Sequence, residues 1–110
     1  MKIRTKVWID DDKGNVIFGS GREHMLEAIN RLGSMNKAAK ELNMSYRALW
    51  GRIKSTEERL GAEVLVRKAG GGKECGSGLT PVGEDFLRKY KRLKERVLTV
   101  ADQEFAKLFS

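Results

Sequence analysis

The sequence predicts a mainly helical fold with a small β component, and three observations predict it. Apolar residues recur at steps of three and four over residues 22–32, 36–60 and 81–108, the signature of helices with one buried face. An alternating run at 2–9 and an apolar run at 64–67 supply the strands. The chain has 110 residues, 40% of them hydrophobic, enough for one modest core and too few for two. A single domain over 1–110 is therefore expected.

Taken in order, Ile3, Val7 and Ile9 alternate with Lys2, Arg4, Lys6 and Trp8, which gives a strand with one wet face. Asp11-Asp12-Lys13-Gly14 is a turn cluster, and Val16, Ile17 and Phe18 form the return strand. Residues 1–18 thus read as a β-hairpin, followed by a break at Gly19-Ser20-Gly21. A first helix over 22–32 buries Met25, Ala28, Ile29 and Leu32 and stops at Gly33. Ser34 or Asn36 caps a short second helix, with Ala38, Ala39 and Leu42 inward and Lys37, Lys40 and Glu41 outward. Asn43-Met44 makes a tight turn. Ser45 then caps a third helix over 46–60, with Leu49, Ile53 and Leu60 buried, Trp50 flanking and Gly61 at its end. Trp8 and Trp50 read as packing residues.

Residues 64–67 are β-like, and AGGGKECGSG after them reads as an exposed glycine-rich loop closed by Leu79 and Thr80. The segment 64–80 is therefore a strand-loop-strand. Thr80-Pro81 opens the last helix, because threonine caps and a proline at the first position loses no hydrogen bond. At 1.5 Å per residue, a helix from 81 to about 109 is ~40 Å long. Val82, Phe86, Tyr90, Leu93, Val97, Ala101, Phe105 and Leu108 form its stripe. A small domain cannot cover a stripe of that length, so its distal half needs a partner. Phe86, Tyr90, Leu93, Val97, Ala101, Phe105 and Leu108 are the residues expected to meet that partner.

Charge narrows the function. Lys and Arg number 22 against 15 Asp and Glu, a net +7 that favours polyanionic partners such as DNA, RNA or an anionic membrane. No run of ~20 apolar residues crosses a membrane, and Lys2, Arg4 and Lys6 interrupt any signal-like N-terminus. The single cysteine, Cys75, allows no intrachain disulfide, which fits a reducing compartment and a cytoplasmic protein. Catalysis has little to work with. His24 is the only histidine, and Cys75 lacks a second thiol and an evident base. His, Cys and carboxylates are too scattered for a metal site. Neither GxxxxGK[ST] nor GxGxxG occurs, Gly72-Lys73 being followed by Glu74. Neither enzyme activity nor a cofactor or metal is expected.

The constellation with chemical content lies at 36–60. Two helices joined by a tight turn leave one face of the second exposed, and that face carries Ser45, Tyr46, Arg47, Ala48, Gly51, Arg52 and Lys54. Arginine donates two hydrogen bonds to guanine O6 and N7 in a major groove. Hydroxyls reach phosphates or base edges, and Ala48 and Gly51 permit close approach. Between 34 and 68 there are eight basic residues against four acidic. A helical pair with a solvated basic face, serving protein contacts, is the competing reading. The strand-loop-strand that follows favours nucleic acid, because a β-wing beside the helix brings Arg67, Lys68 and Lys73 to phosphates. The elements together make a winged helix-turn-helix with an N-terminal hairpin and a long C-terminal helix.

"GSMNKAAKELNMSYRALWGRIKSTEERLG" followed by "VLVRKAGGGKECGSGLTPVGEDFL" resembles the DNA-binding domain of ModE-type molybdate-responsive regulators and, more distantly, the LysR-type winged helix. The resemblance covers nearly the whole chain. It implies a homodimer joined through the helix beginning at 81, with the helix 46–60 entering the major groove of double-stranded DNA and the wing flanking it. ModE-type regulators sense molybdate through further C-terminal domains, and the chain, ending at Ser110, shows none. The expectation is a homodimeric, sequence-specific transcriptional regulator lacking its own molybdate-binding domain, with an effector or partner protein left open. The alternatives are a protein-interaction module and a metal-oxyanion-responsive regulator.

Overall fold

Short-range chemistry sets where each helix starts and stops. In the computed structural model, which describes residues 1–68 and 76–110 (backbone only at Lys68), the elements run β1 (Ile9–Asp10), β2 (Val16–Phe18), α1 (Ser20–Leu32), α2 (Met35–Glu41), α3 (Tyr46–Leu60), β3 (Leu65–Lys68), β4 (Gly76–Leu79) and α4 (Pro81–Phe109). Ser34, Ser45 and Thr80 cap α2, α3 and α4, each accepting a backbone N–H three residues on. Gly33 and Gly61 close α1 and α3 in the left-handed region. Asn43, at φ 55°, turns the chain between α2 and α3, a conformation asparagine tolerates better than most residues. The expectations for Gly70–Gly72, Lys73 and Cys75 lie outside the described residues.

The three short helices enclose Leu26, Ile29, Ala38, Leu49 and Ile53, all essentially without solvent contact. Phe18 at the end of β2 is fully buried and packs on Phe86 (5.0 Å) and edge-on against Tyr90 (4.8 Å). These contacts hold the first half of α4 to the core. Tyr90 also donates its hydroxyl proton to the Val7 carbonyl (2.7 Å). Beside it, Lys94 bonds the buried Glu23 at 2.5 Å. That hydrogen bond holds the Lys94 ammonium above the ordinary lysine range.

Segment 63–65 is the junction of the remaining elements. The buried Glu57 of α3 accepts from the backbone N–H groups of Val64 (2.8 Å) and Leu65 (3.2 Å) through one carboxylate oxygen. On the other side, Thr80 donates its backbone N–H to the Val64 carbonyl (3.0 Å) and its hydroxyl to that of Glu63 (2.6 Å). Gly83 of α4 lies directly against Val64, so a Cβ there would stand 2.4 Å from the Val64 carbonyl oxygen. From this junction β3 and β4 leave as an antiparallel pair, Leu65 opposite Leu79 and Lys68 opposite Gly76.

Five local expectations are corrected. Residues 2–8 are not a strand, because the return strand β2 has only three residues and pairs no further back than Ile9. Their alternation survives as burial instead: Ile3, Val7 and Ile9 are half-buried and Trp8 is exposed. The break at Gly19-Ser20-Gly21 is in fact the start of α1. Gly76 and Gly78 belong to a strand rather than to a loose loop. Ser77 donates its N–H to the Gly33 carbonyl (2.9 Å), and a Cβ on Gly76 would meet that same oxygen at 2.9 Å. Trp8 and Trp50 are 60% and 46% exposed, so neither is a core packing residue. Val82, likewise, faces solvent, and Leu87 takes its expected place on the core.

No described helix is long and apolar enough to cross a membrane.

Two substitutions test the junction. Gly83→Ala should lower stability by roughly 1–3 kcal/mol, the usual cost of overpacking, even after the ~1 kcal/mol that alanine gains in helix propensity. Urea unfolding measures it, and an unchanged midpoint contradicts the close approach. Glu57→Ala orphans two backbone donors, each costing about 1–3 kcal/mol if it stays buried and unpaired. The same unfolding curve should shift accordingly, whereas Glu58→Ala on the exposed side should leave it within about 0.5 kcal/mol.

Candidate nucleic-acid interface

With Leu49, Ile53, Thr56 and Glu57 facing inward, the opposite side of α3 must face solvent, because residues three and four apart share a face. Three rows run along that side. At its centre stand Arg47 and Gly51, both exposed. Towards the wing stand Tyr46, Trp50 and Lys54, and on the opposite flank Ala48, Arg52 and Arg59. Ser45 is spent locally, its hydroxyl oxygen accepting the Ala48 N–H at 3.0 Å. Ala48 itself is half-buried.

Tyr46 and Arg67 join the helix to the wing, the Arg67 guanidinium donating to the Tyr46 hydroxyl at 3.3 Å. This bond brings the first turn of α3 and strand β3 to one surface, bordering a shallow cleft of about 400 Å³ that Ser34, Asn36 and Ser77 also line. Lys54 is partly occupied: its ammonium lies 3.2 Å from Glu57 and 5.6 Å from the centre of the Trp50 ring. Arg47 and Arg52 form no ion pair among the described residues. Lys68 is placed by its backbone at the end of β3, opposite Gly76, and Lys73 lies outside the described residues. Arg47, Gly51 and Lys54 thus lie on the exposed side of α3, with Ser45 at its start and Tyr46 and Arg52 at its two edges, the wing standing at the Tyr46 edge.

Sequence reasoning did not single out Arg22. It lies at the start of α1, far along the chain from Arg52 and Arg59, yet its Nε–H donates to Thr56 at 2.9 Å on the same flank of α3. Only the long-range packing of α1 on α3 reveals that neighbourhood.

The second candidate surface is α4. Phe86 and Tyr90 are packed on Phe18 within the chain. Beyond them Leu93, Val97, Leu98 and Val100 are 37–57% exposed and Leu108 is 72% exposed. Ala101 and Phe105 are half-exposed, and Phe105 stacks on Phe109 at 5.2 Å. Val100, absent from the sequence-read stripe, continues the alternating four-and-three spacing of Phe86, Tyr90, Leu93 and Val97. It shares a shallow apolar depression with Val97 and Ala101. The molecule extends 60 × 29 × 24 Å.

Among the described residues, no group of three or more His, Cys, Asp or Glu side chains is arranged to hold a metal ion.

Comparison with known proteins agrees with this geometry. The chain is 34% identical over 95 residues to the molybdenum transport protein ModE of Azotobacter vinelandii, a match covering 86% of the chain and 35% of that protein. It is 35% identical over 79 residues to the molybdenum-pterin-binding protein MopB of Rhodobacter capsulatus, covering 72% of the chain and 29% of the relative. The chain therefore spans about a third of the length of these curated relatives. Among solved structures, the CbnR DNA-binding domain in complex with DNA superposes with a TM-score of 0.58 at 28% identity, covering 78% of the chain and 94% of that domain. The profile of the bacterial regulatory helix-turn-helix proteins of the lysR family matches residues 23–84, more than half of the chain. With its helix-turn-helix, wing and long helix in the order described, this chain belongs to the lysR family of bacterial regulatory helix-turn-helix proteins.

Proposed function

We propose that the chain is a homodimeric transcriptional regulator that reads double-stranded DNA with α3, its hairpin, three-helix core, wing and long helix acting as one domain. The observation that carries the reading is the open cationic side of α3, with Arg47 and Arg52 unpaired among the described residues, beside a wing tied to it through Arg67 and Tyr46. Arg47, on the central row beside Gly51, is the residue to donate to a guanine edge. Ser45 and Tyr46 set the start of the helix against the backbone. Ala48 and Gly51 keep the surface low. Arg52, Lys54, Lys68 and Lys73 meet phosphates, Lys73 lying outside the described residues. The DNA complex of the CbnR domain supports the docking mode by analogy. The work is binding rather than catalysis, and a cytoplasmic location goes with it.

The open face of α4 supports the dimer. Leu93, Val97, Ala101, Phe105 and Leu108, extended by Val100, leave an apolar strip running along more than ten residues of helix, and a second copy of the strip covers it. The names of the curated relatives tie them to molybdenum. We carry a molybdenum-linked regulatory role to this chain on that likeness alone. Calorimetric titration with molybdate separates an oxyanion-responsive protein, which releases heat on tight binding, from one that responds to something else.

Two outcomes are expected. On a duplex selected from a random pool, Arg47→Ala should shrink the preference over random DNA by about 10–100-fold, the 1–3 kcal/mol of one good base contact. An unchanged preference removes Arg47 from base reading. By sedimentation, the native chain should run as a dimer, and Leu93→Glu with Val97→Glu should weaken self-association by about 100-fold or more. A native chain that sediments as a monomer contradicts the dimer.

A further inference from the structure

We propose that Arg22, Arg52 and Arg59 form a phosphate-binding cluster on the flank of α3 opposite the wing, so that the N-terminal hairpin helps to grip the DNA backbone from the second side. This inference rests on the DNA-binding reading above.

Three elements converge on Thr56. The Arg22 Nε–H of α1 donates to its hydroxyl oxygen at 2.9 Å, and the hydroxyl has the carbonyls of Ile17 (3.3 Å) in β2 and Arg52 (3.2 Å) within its own donating reach. Arg59, one heptad beyond Arg52 and on the same row, reaches across to the Val16 carbonyl at 2.6 Å. Arg22 and Arg59 are thus each held by a neutral oxygen that leaves their charge uncompensated. None of the three arginines forms an ion pair among the described residues. The acidic groups nearby are Glu58, exposed on α3 next to Arg59 in the chain, and Asp11 of the hairpin turn, neither of them ion-paired with the three arginines. The Asp11 carboxylate is engaged by the N–H groups of Lys13 and Asn15 and by the Asn15 amide, with Arg59 a more distant influence.

Like charges brought together without a counter-charge destabilise a fold unless an anion relieves them. Burial pushes the Arg22 guanidinium below the ordinary arginine range, and the positive charges of Arg52 and Arg59 push it further the same way. An arginine stays protonated under such pressure, so the cluster remains cationic and suited to an anion with several acceptor oxygens. Arg52 and Arg59 are exposed on the row adjoining Arg47 and Gly51, so the ligand class the site fits is a backbone phosphate of the duplex that Arg47 reads. The family match begins at residue 23. Arg22 and the hairpin that supplies the Val16 and Ile17 carbonyls lie just outside that match, within the longer stretch shared with the Azotobacter vinelandii protein.

The test is the salt dependence of binding to a random-sequence duplex of about 30 base pairs, read by fluorescence anisotropy. Each phosphate contact contributes about 0.9 to the slope of log affinity against log salt. Arg59→Gln, at an exposed position, should reduce the slope by about 0.9, and Arg22→Gln with Arg59→Gln by about 1.8. Lys89→Gln, the charge-matched control, should leave it unchanged. The preference for a selected site over random DNA should stay constant in all three, because phosphates carry no sequence information. Should Arg22→Gln prove unstable by thermal melting, the Arg59→Gln slope decides. Native chain that binds with a steep slope, together with an Arg59→Gln variant that keeps that slope, overturns the cluster and leaves the DNA-reading proposal standing. Native chain with no salt-dependent binding overturns both.

Discussion

A buried carboxylate organises the molecule. Glu57 projects from α3 into the corner where the chain leaves the helical core, and there it accepts the N–H groups of Val64 and Leu65. An extended segment entering a core brings backbone donors that need partners, and Glu57 supplies them with a charge-assisted acceptor. The opposite edge of the segment is satisfied by Thr80, and Gly83 lets α4 settle against it without a Cβ between the two backbones. One short junction therefore fixes the wing, α3 and the start of α4 relative to one another.

The orientation of the cationic surface follows. Leu49, Ile53, Thr56 and Glu57 occupy the inward side of α3 so completely that Arg47, Gly51 and Arg52 have nowhere to go but outward. The wing stands at one edge of that surface through Tyr46 and Arg67, and the hairpin at the other through Val16, Ile17 and Thr56. α3 is thus braced on both flanks by short β-hairpins that could not fold alone. The same logic divides α4. Its first turns are fixed by Phe18, Tyr90 and the Glu23–Lys94 pair, and its later turns project beyond the core with their apolar side uncovered.

Much of this was legible in the sequence because it is local. Ser45 before α3, Thr80-Pro81 before α4 and the glycines at 33 and 61 act within one helical turn, so their meaning does not depend on distant residues. The misreadings have a common cause. Alternation at 2–9 reports which side chains meet the core and says nothing of whether a partner strand is long enough to pair with. Glycine-rich composition at 76–78 looks the same whether the residues are loose or pressed against the Gly33 carbonyl. Trp50 sits at helical spacing that fits either face of α3, and only the packing of the folded chain leaves it 46% exposed. Glu57 and Arg22 were opaque for a related reason. One resembles any surface glutamate and the other any surface arginine until long-range packing brings their partners beside them.

Taken together, the brace on α3 and the open strip on α4 describe a reader that presents two copies of one cationic helix to one duplex. Methylation interference on a selected binding site measures this most directly, because N7 methylation of guanine obstructs the major groove alone. The account predicts two patches of interference about one helical turn apart, or a multiple of it, related by the symmetry of the dimer. A single patch, or binding indifferent to guanine N7 methylation throughout the site, would contradict it.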